Sequence, residues 1–105
     1  MSFRLLFRRE ATLDIEEMVF WYEDQRPGLG ARVTAELNRL LDRIAATPFQ
    51  FPEVEQGVRR GLVPRFPYTV YFLPEAEAIV VLAIVHQRRD PDLWKKRIEP
   101  GSDSP

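Results

Sequence analysis

Eight consecutive apolar residues, Ala78 to Val85, run without a break into the chain's single histidine, His86, and on through Arg88 and Arg89 to Asp90, Pro91 and Trp94. The run is far short of the ~20 apolar residues of a membrane span. Its Ile and Val content and length suit a buried β-strand. Two more strand-like runs precede it, Val58 to Val63 and Tyr68 to Leu73, and each gap is only four residues, Pro-Arg-Phe-Pro and Pro-Glu-Ala-Glu. Connections that short permit hairpins and not parallel crossovers, so the three runs form an antiparallel meander.

The first half of the chain reads differently. Phe3 to Arg9 alternates loosely and suggests a short strand. Thr12 is placed to cap a helix, with Asp14, Glu16 and Glu17 in its first turns and Ile15, Met18, Val19 and Tyr22 on one face. Pro27 and Gly28 break it. Val33, Leu37, Leu40, Leu41 and Ile44 then recur at helical spacing, so a second helix folds back antiparallel on the first. Thr47-Pro48 stops that helix, and Thr47 to Gly57 reads as a loop. The expected architecture is α+β: an N-terminal strand, an antiparallel helical hairpin and a three-stranded meander, in the order β-α-α-β-β-β, with a short C-terminal helical turn around Asp92 to Arg97. A chain of 105 residues has the length of one domain, here residues 4–98, with 99–105 expected to be a flexible tail.

The apolar strand needs cover on both sides. A helical pair covers one face, yet by alternation Ile79, Val81, Ala83 and Val85 point one way and Val80, Leu82 and Ile84 the other. Either Leu93 and Trp94 with the Phe49 to Phe51 loop fold over the second face, or a partner protein buries it.

Composition narrows the function classes. There are no cysteines and one histidine, so no disulfide scaffold, metal site or cofactor is expected. The start of the chain lacks a signal peptide's long apolar region, and a cytoplasmic protein without membrane association is expected. Net charge is −1, which argues against bulk electrostatic binding of nucleic acid. Its distribution is uneven: residues 58–98 carry eight Lys/Arg against four Asp/Glu, whereas 1–57 carry seven against ten. Arg59, Arg60, Arg65, Arg88 and Arg89 flank the meander's turns and could converge on a phosphate or a carboxylate-rich partner. Asp90 could instead pair with one of them. His86, at the end of the buried strand, is a candidate functional group, although a lone histidine is more often structural.

The stretches WYEDQRPGLG, VRRGLVPRFPYTVYF and IVVLAIVHQRRDPDLW, in that order and spacing, resemble the RelE/ParE superfamily of toxins from type II toxin-antitoxin modules. The resemblance spans nearly the whole chain. It implies an antiparallel sheet packed on a helical hairpin, a cognate antitoxin as partner in a hetero-oligomer, and one of two activities. RelE-like members cut mRNA on the ribosome; here Arg60 and Arg88 match basic positions of that pattern, and His86 would have to supply the base. Thr69 stands where those ribonucleases carry an arginine, and Trp94 where they carry a tyrosine. ParE-like members inhibit DNA gyrase and have no hydrolytic machinery. The His-x-x-Arg-Asp arrangement at the strand end looks more like that branch, which is preferred, with Arg59, Arg60, Arg65, Arg88, Arg89 and Trp94 as target- or partner-binding residues. A third reading is a member of the fold that has lost toxicity and acts as an interaction module.

Overall fold

The structure, a computed structural model, describes residues 2–98; the expected tail, 99–105, lies outside the described residues. β1 (Arg4–Phe7) is followed by α1 (Arg9–Gln25) and α2 (Leu29–Ala46), a single 3-10 turn (Pro48–Gln50), β2 (Glu53–Glu55), β3 (Val58–Leu62), β4 (Tyr68–Pro74), β5 (Ala78–His86) and α3 (Lys95–Ile98). The strands form one sheet in the order β1-β5-β4-β3-β2. β1 lies parallel to β5, and every other pairing is antiparallel. The meander and the helical hairpin are as expected from the sequence.

Three local features differ. α1 starts at Arg9, so Thr12 is not its cap; the Thr12 N–H already donates to the Arg8 carbonyl at 3.1 Å inside the first turn. Pairing to β5 holds the chain extended through Phe7, and the Arg8 N–H donates to the Val81 carbonyl at 3.0 Å. Sheet pairing therefore sets the helix start and overrides the local cap preference. Asp14 moves into the second turn, free for tertiary use.

The segment read as a loop contains β2. Gln56 and Gly57 both have positive φ, 56° and 81°, the signature of a two-residue hairpin turn that matches strand twist. Glu-Val-Glu is too short and too polar to announce a strand by alternation. Its pairing with β3 supplies the signal instead.

The third difference is a bulge. Tyr71 faces Ala83 and Phe72 faces Val81, so Leu82 is an extra residue in β5, and side-chain parity flips beyond it. Ile79, Val81 and Ile84 join Val70 and Phe72 under the helices, whereas Leu82, Ala83 and Val85 join Val58 and Tyr71 on the opposite face. The strict alternation expected for this strand is corrected accordingly.

Val33, Leu37, Leu40, Leu41 and Ile44 of α2 are buried on the helix side as their spacing requires. Phe51 is in this same core, edge-on to Phe72 at 5.6 Å. Gly61 makes room for it, because a Cβ there would stand 3.0 Å from Leu40 and 3.1 Å from Phe51. The Phe49 to Phe51 segment therefore does not cover the second face. Trp94 does: it is 1% exposed and stacks on Tyr71 at 6.2 Å and 29°, with Leu93 and Ile98 beside it. Lys95 fastens the segment through Glu55 at 2.6 Å and Asp92 at 3.3 Å. These contacts hold its ammonium above the ordinary lysine range.

Candidate functional site at the end of β5

β1 stops opposite Val81, and β5 continues alone along that edge from Leu82 to His86. Unpaired edge groups in a partly buried place need partners. Two side chains supply the first of them. The Ile84 N–H donates to Asp14 Oδ2 at 3.0 Å, and Arg97 Nη1 donates to the Leu82 carbonyl at 2.9 Å and to Asp14 Oδ2 at 2.7 Å. Arg8 Nη2 in turn donates to the Arg97 carbonyl at 2.6 Å. The Arg97 and Asp14 side chains are only 13% and 19% exposed, so this ion pair is a structural clasp between α1, β5 and α3.

Past the clasp, His86 closes the strand. Its ring lies edge-on to Tyr68 at 5.2 Å, its Nδ1 accepts the Arg88 N–H at 3.1 Å, and its carbonyl accepts the Arg89 N–H at 2.9 Å. A nitrogen that accepts cannot carry the proton, so the ring proton of the neutral imidazole sits on Nε2. The histidine thus folds the turn that presents Arg88 and Arg89.

Two clefts meet at His86 and Arg89. One, of about 460 Å³, lies between α1 and the free edge of β5 and is lined by Glu10, Leu13, Glu17, Trp21, Tyr68 and Leu93 among others. The other, of about 330 Å³, opens on the opposite face beside Arg60, Thr69, Tyr71, Gln87 and Pro91. Burial pushes the Tyr71 phenol up, Arg60 opposes this, and Asp92 and Asp90 add to it. The group keeps its proton and is a hydrogen-bond donor at neutral pH. Tyr68 is likewise raised, first by burial, then by Tyr22, with Arg89 opposing and Glu17 adding.

The five arginines expected to converge do not all do so. Arg60 and Arg89 share the second cleft with His86, and Arg88 is exposed on the adjoining turn. Arg59 is turned away: it donates to the Phe51 carbonyl at 2.6 Å, lies 3.8 Å from Glu53 and sits over the Phe49 ring. Arg65 lies on the helix side, 3.9 Å from Glu36, with the positive φ of a tight turn, 69°. Trp94, expected as a contact residue, is a core side chain, and Thr69 is buried as well. Sequence reasoning missed Tyr71, although its spacing from Thr69 in β4 put both on one face. It also missed the Asp14–Arg97 clasp, whose partners are 83 residues apart and carry no local signal. Among the described residues no group of His, Cys, Asp and Glu could hold a metal ion, and no helix is long and apolar enough to cross a membrane.

The model of the ParE toxin of the type II toxin-antitoxin system parDE matches residues 5–91, which takes in the sheet, the helical hairpin and the His86 turn. Among solved structures the chain is similar to the chromosomal ParDE toxin-antitoxin system from P. aeruginosa, at 19% identity over 81% of this chain and 96% of that one, with a TM-score of 0.71; at that identity the likeness is one of fold. No curated protein matches. A family match that runs from β1 through the turn at Pro91, on a sheet and helical hairpin of the corresponding fold, identifies the chain as a member of the ParE toxin family of type II toxin-antitoxin modules.

Proposed function

We propose that this toxin arrests growth by acting on DNA gyrase through recognition and not through bond cleavage, and that a cognate antitoxin neutralises it in a hetero-oligomer. The observation that carries the reading is the bonding of His86. With Nδ1 engaged by the Arg88 N–H and the proton on Nε2, neither ring nitrogen is open to take a proton from a ribose hydroxyl, as a general base must. The groups of the ribonuclease pattern are also replaced at their own positions. Trp94 replaces the tyrosine of the ribonuclease relatives and is buried, Thr69 replaces their arginine, and Tyr71 is held protonated. Arg60, Arg88 and Arg89 remain, and guanidinium groups are permanent cations suited to carboxylate or phosphate. The P. aeruginosa structure is of a ParDE toxin-antitoxin system, which supports an antitoxin as partner.

The test is induced expression with and without the product of the adjacent reading frame, followed by gyrase supercoiling and ribosome-dependent mRNA cleavage assays. Growth arrest with impaired supercoiling and intact message is expected, relieved by the adjacent product. His86→Gln, which keeps an acceptor for the turn, should leave the arrest largely intact, and Arg60→Ala or Arg89→Ala should weaken it in folded protein. Specific cuts in ribosome-bound message that vanish with His86→Ala would overturn the reading in favour of a RelE-like endoribonuclease. A well-folded protein that arrests nothing would identify an interaction module without toxicity.

A further inference from the structure

Asp14 and Arg97 complete the free edge of β5 only at Leu82 and Ile84. By strand alternation the N–H of His86 faces the same side as that of Ile84, into the cleft of about 460 Å³ between β5 and α1. The helix wall of that cleft combines two chemistries. Leu13 and Trp21, eight residues apart and so on one side of α1, are 48% and 54% exposed. Glu10 and Glu17 stand on the same wall, and neither has an ion pair or hydrogen bond among the described residues. Glu10 Oε1 is buried with no hydrogen-bond partner. A carboxylate oxygen removed from water and left without a donor is unfavourable by more than most polar groups.

We propose that this cleft docks an extended peptide strand of a partner protein, which adds to β5 at Ile84 to His86 and sets a Lys or Arg side chain on Glu10 with an apolar one between Leu13 and Trp21. Strand addition supplies backbone pairing for the open edge, and alternate side chains supply selectivity. The chain contains its own precedent for the polar contact. Arg97 Nη1 bridges a carboxylate of α1 and a carbonyl of the β5 edge at 2.7 and 2.9 Å, so a cation seats between these two elements one turn of helix from Glu10. The charge on the helix wall selects the sign. Along α1, six acids stand against one base, Arg9, so helix-facing positions of the peptide are basic. The opposite rim carries Arg89 and accepts acidic or neutral side chains. The proposal concerns this edge alone and holds whether or not gyrase is the target.

The experiment titrates the full chain with two capped, fluorescently labelled octapeptides that alternate valine with threonine and differ at a single valine position, which is lysine in one and glutamate in the other, and follows anisotropy and backbone amide exchange. The lysine peptide should bind at least about tenfold more tightly, the scale of one charge-assisted hydrogen bond to a desolvated group, and should slow exchange of the His86 amide. Glu10→Gln and Glu17→Gln should each remove most of that preference without lowering the melting temperature, and Trp21→Ser should weaken both peptides. Equal binding of the two peptides, no binding at millimolar concentration, or binding that leaves the His86 amide unprotected would each overturn the proposal. If Glu10→Gln alone destabilises the fold, the exposed Glu17→Gln variant decides.

Discussion

Replacing Trp94 by alanine separates a core residue from a contact residue, the two roles this position can have. A fully buried tryptophan removes ~150–250 Å² from water, which at ~25 cal/mol per Å² is about 4–6 kcal/mol. Residual compactness of the unfolded chain lowers such figures by roughly 10–40%. The result, about 3–5 kcal/mol, agrees with the usual cost of truncating a buried Trp. Trp94 is 1% exposed and also loses its stack on Tyr71, so the upper half of that range is expected. Domains of this size hold only about 5–15 kcal/mol in total, and at roughly 4–8 °C per kcal/mol the melting temperature of Trp94→Ala should fall by about 16–40 °C. Trp94→Phe, which keeps a ring over Tyr71, should lose well under half of this. Thermal and urea unfolding followed by far-UV circular dichroism measures both. Fluorescence checks placement independently: with Trp21→Phe, the remaining Trp94 should emit to the blue, and in Trp94→Phe the half-exposed Trp21 should emit to the red. A loss below about 5 °C, roughly 1 kcal/mol, in a Trp94→Ala protein that no longer arrests growth would refute the argument and return Trp94 to the contact surface.

Breaking the Asp14–Arg97 clasp from either end should be costly and non-additive. Asp14→Ala and Arg97→Ala should each destabilise by roughly 3–5 kcal/mol, the range for unpairing a buried charge, and the double variant by clearly less than the sum in a urea-unfolding cycle. Stability should fall as pH rises above 10. Burial raises the Tyr22, Tyr68 and Tyr71 phenols above the ordinary tyrosine range, and Glu55 and Asp92 raise the Lys95 ammonium, so the unfolded chain releases these protons first and each contribution, full below the unfolded value, is lost by the folded one. Urea midpoints between pH 7 and 11.5 would show this, and Tyr71→Phe should flatten the alkaline limb; an unchanged limb would remove that group from the account. Gly61→Ala crowds Leu40 and Phe51 and should lose about 1–3 kcal/mol by overpacking, with Phe51→Leu in the same chain recovering part of it.

Much of the candidate site was legible only in part. The turn that carries His86, Arg88 and Arg89 was plain in the sequence, because an apolar strand must end where polar residues begin. Arg60 lines the same cleft as His86 and Arg89. Arg59 and Arg65 were not separable from Arg60 by sequence, since the bonds that turn them away, to the Phe51 carbonyl and to Glu36, join elements whose relative placement is a tertiary matter. His86 could be named as a candidate, but its role rests on one hydrogen bond to its own turn.

By itself the sequence determined the elements whose cause is local. Helical spacing in Val33 to Ile44 and four-residue connections in the meander force a hairpin of helices and antiparallel strands, because side-chain period and loop reach act over a few residues. Tertiary structure alone decided the rest. The start of α1 depends on where β1 stops pairing with β5. The faces of β5 depend on a bulge opposite Tyr71 and Phe72, and one inserted residue reverses every side chain after it. The choice between Trp94 and Phe49 to Phe51 as cover for the second face was open because both are aromatic and both are long-range. Phe51 goes to the helix side because Gly61 leaves space there, and Trp94 takes the other face because Tyr71 and the clasped Arg97 hold it down.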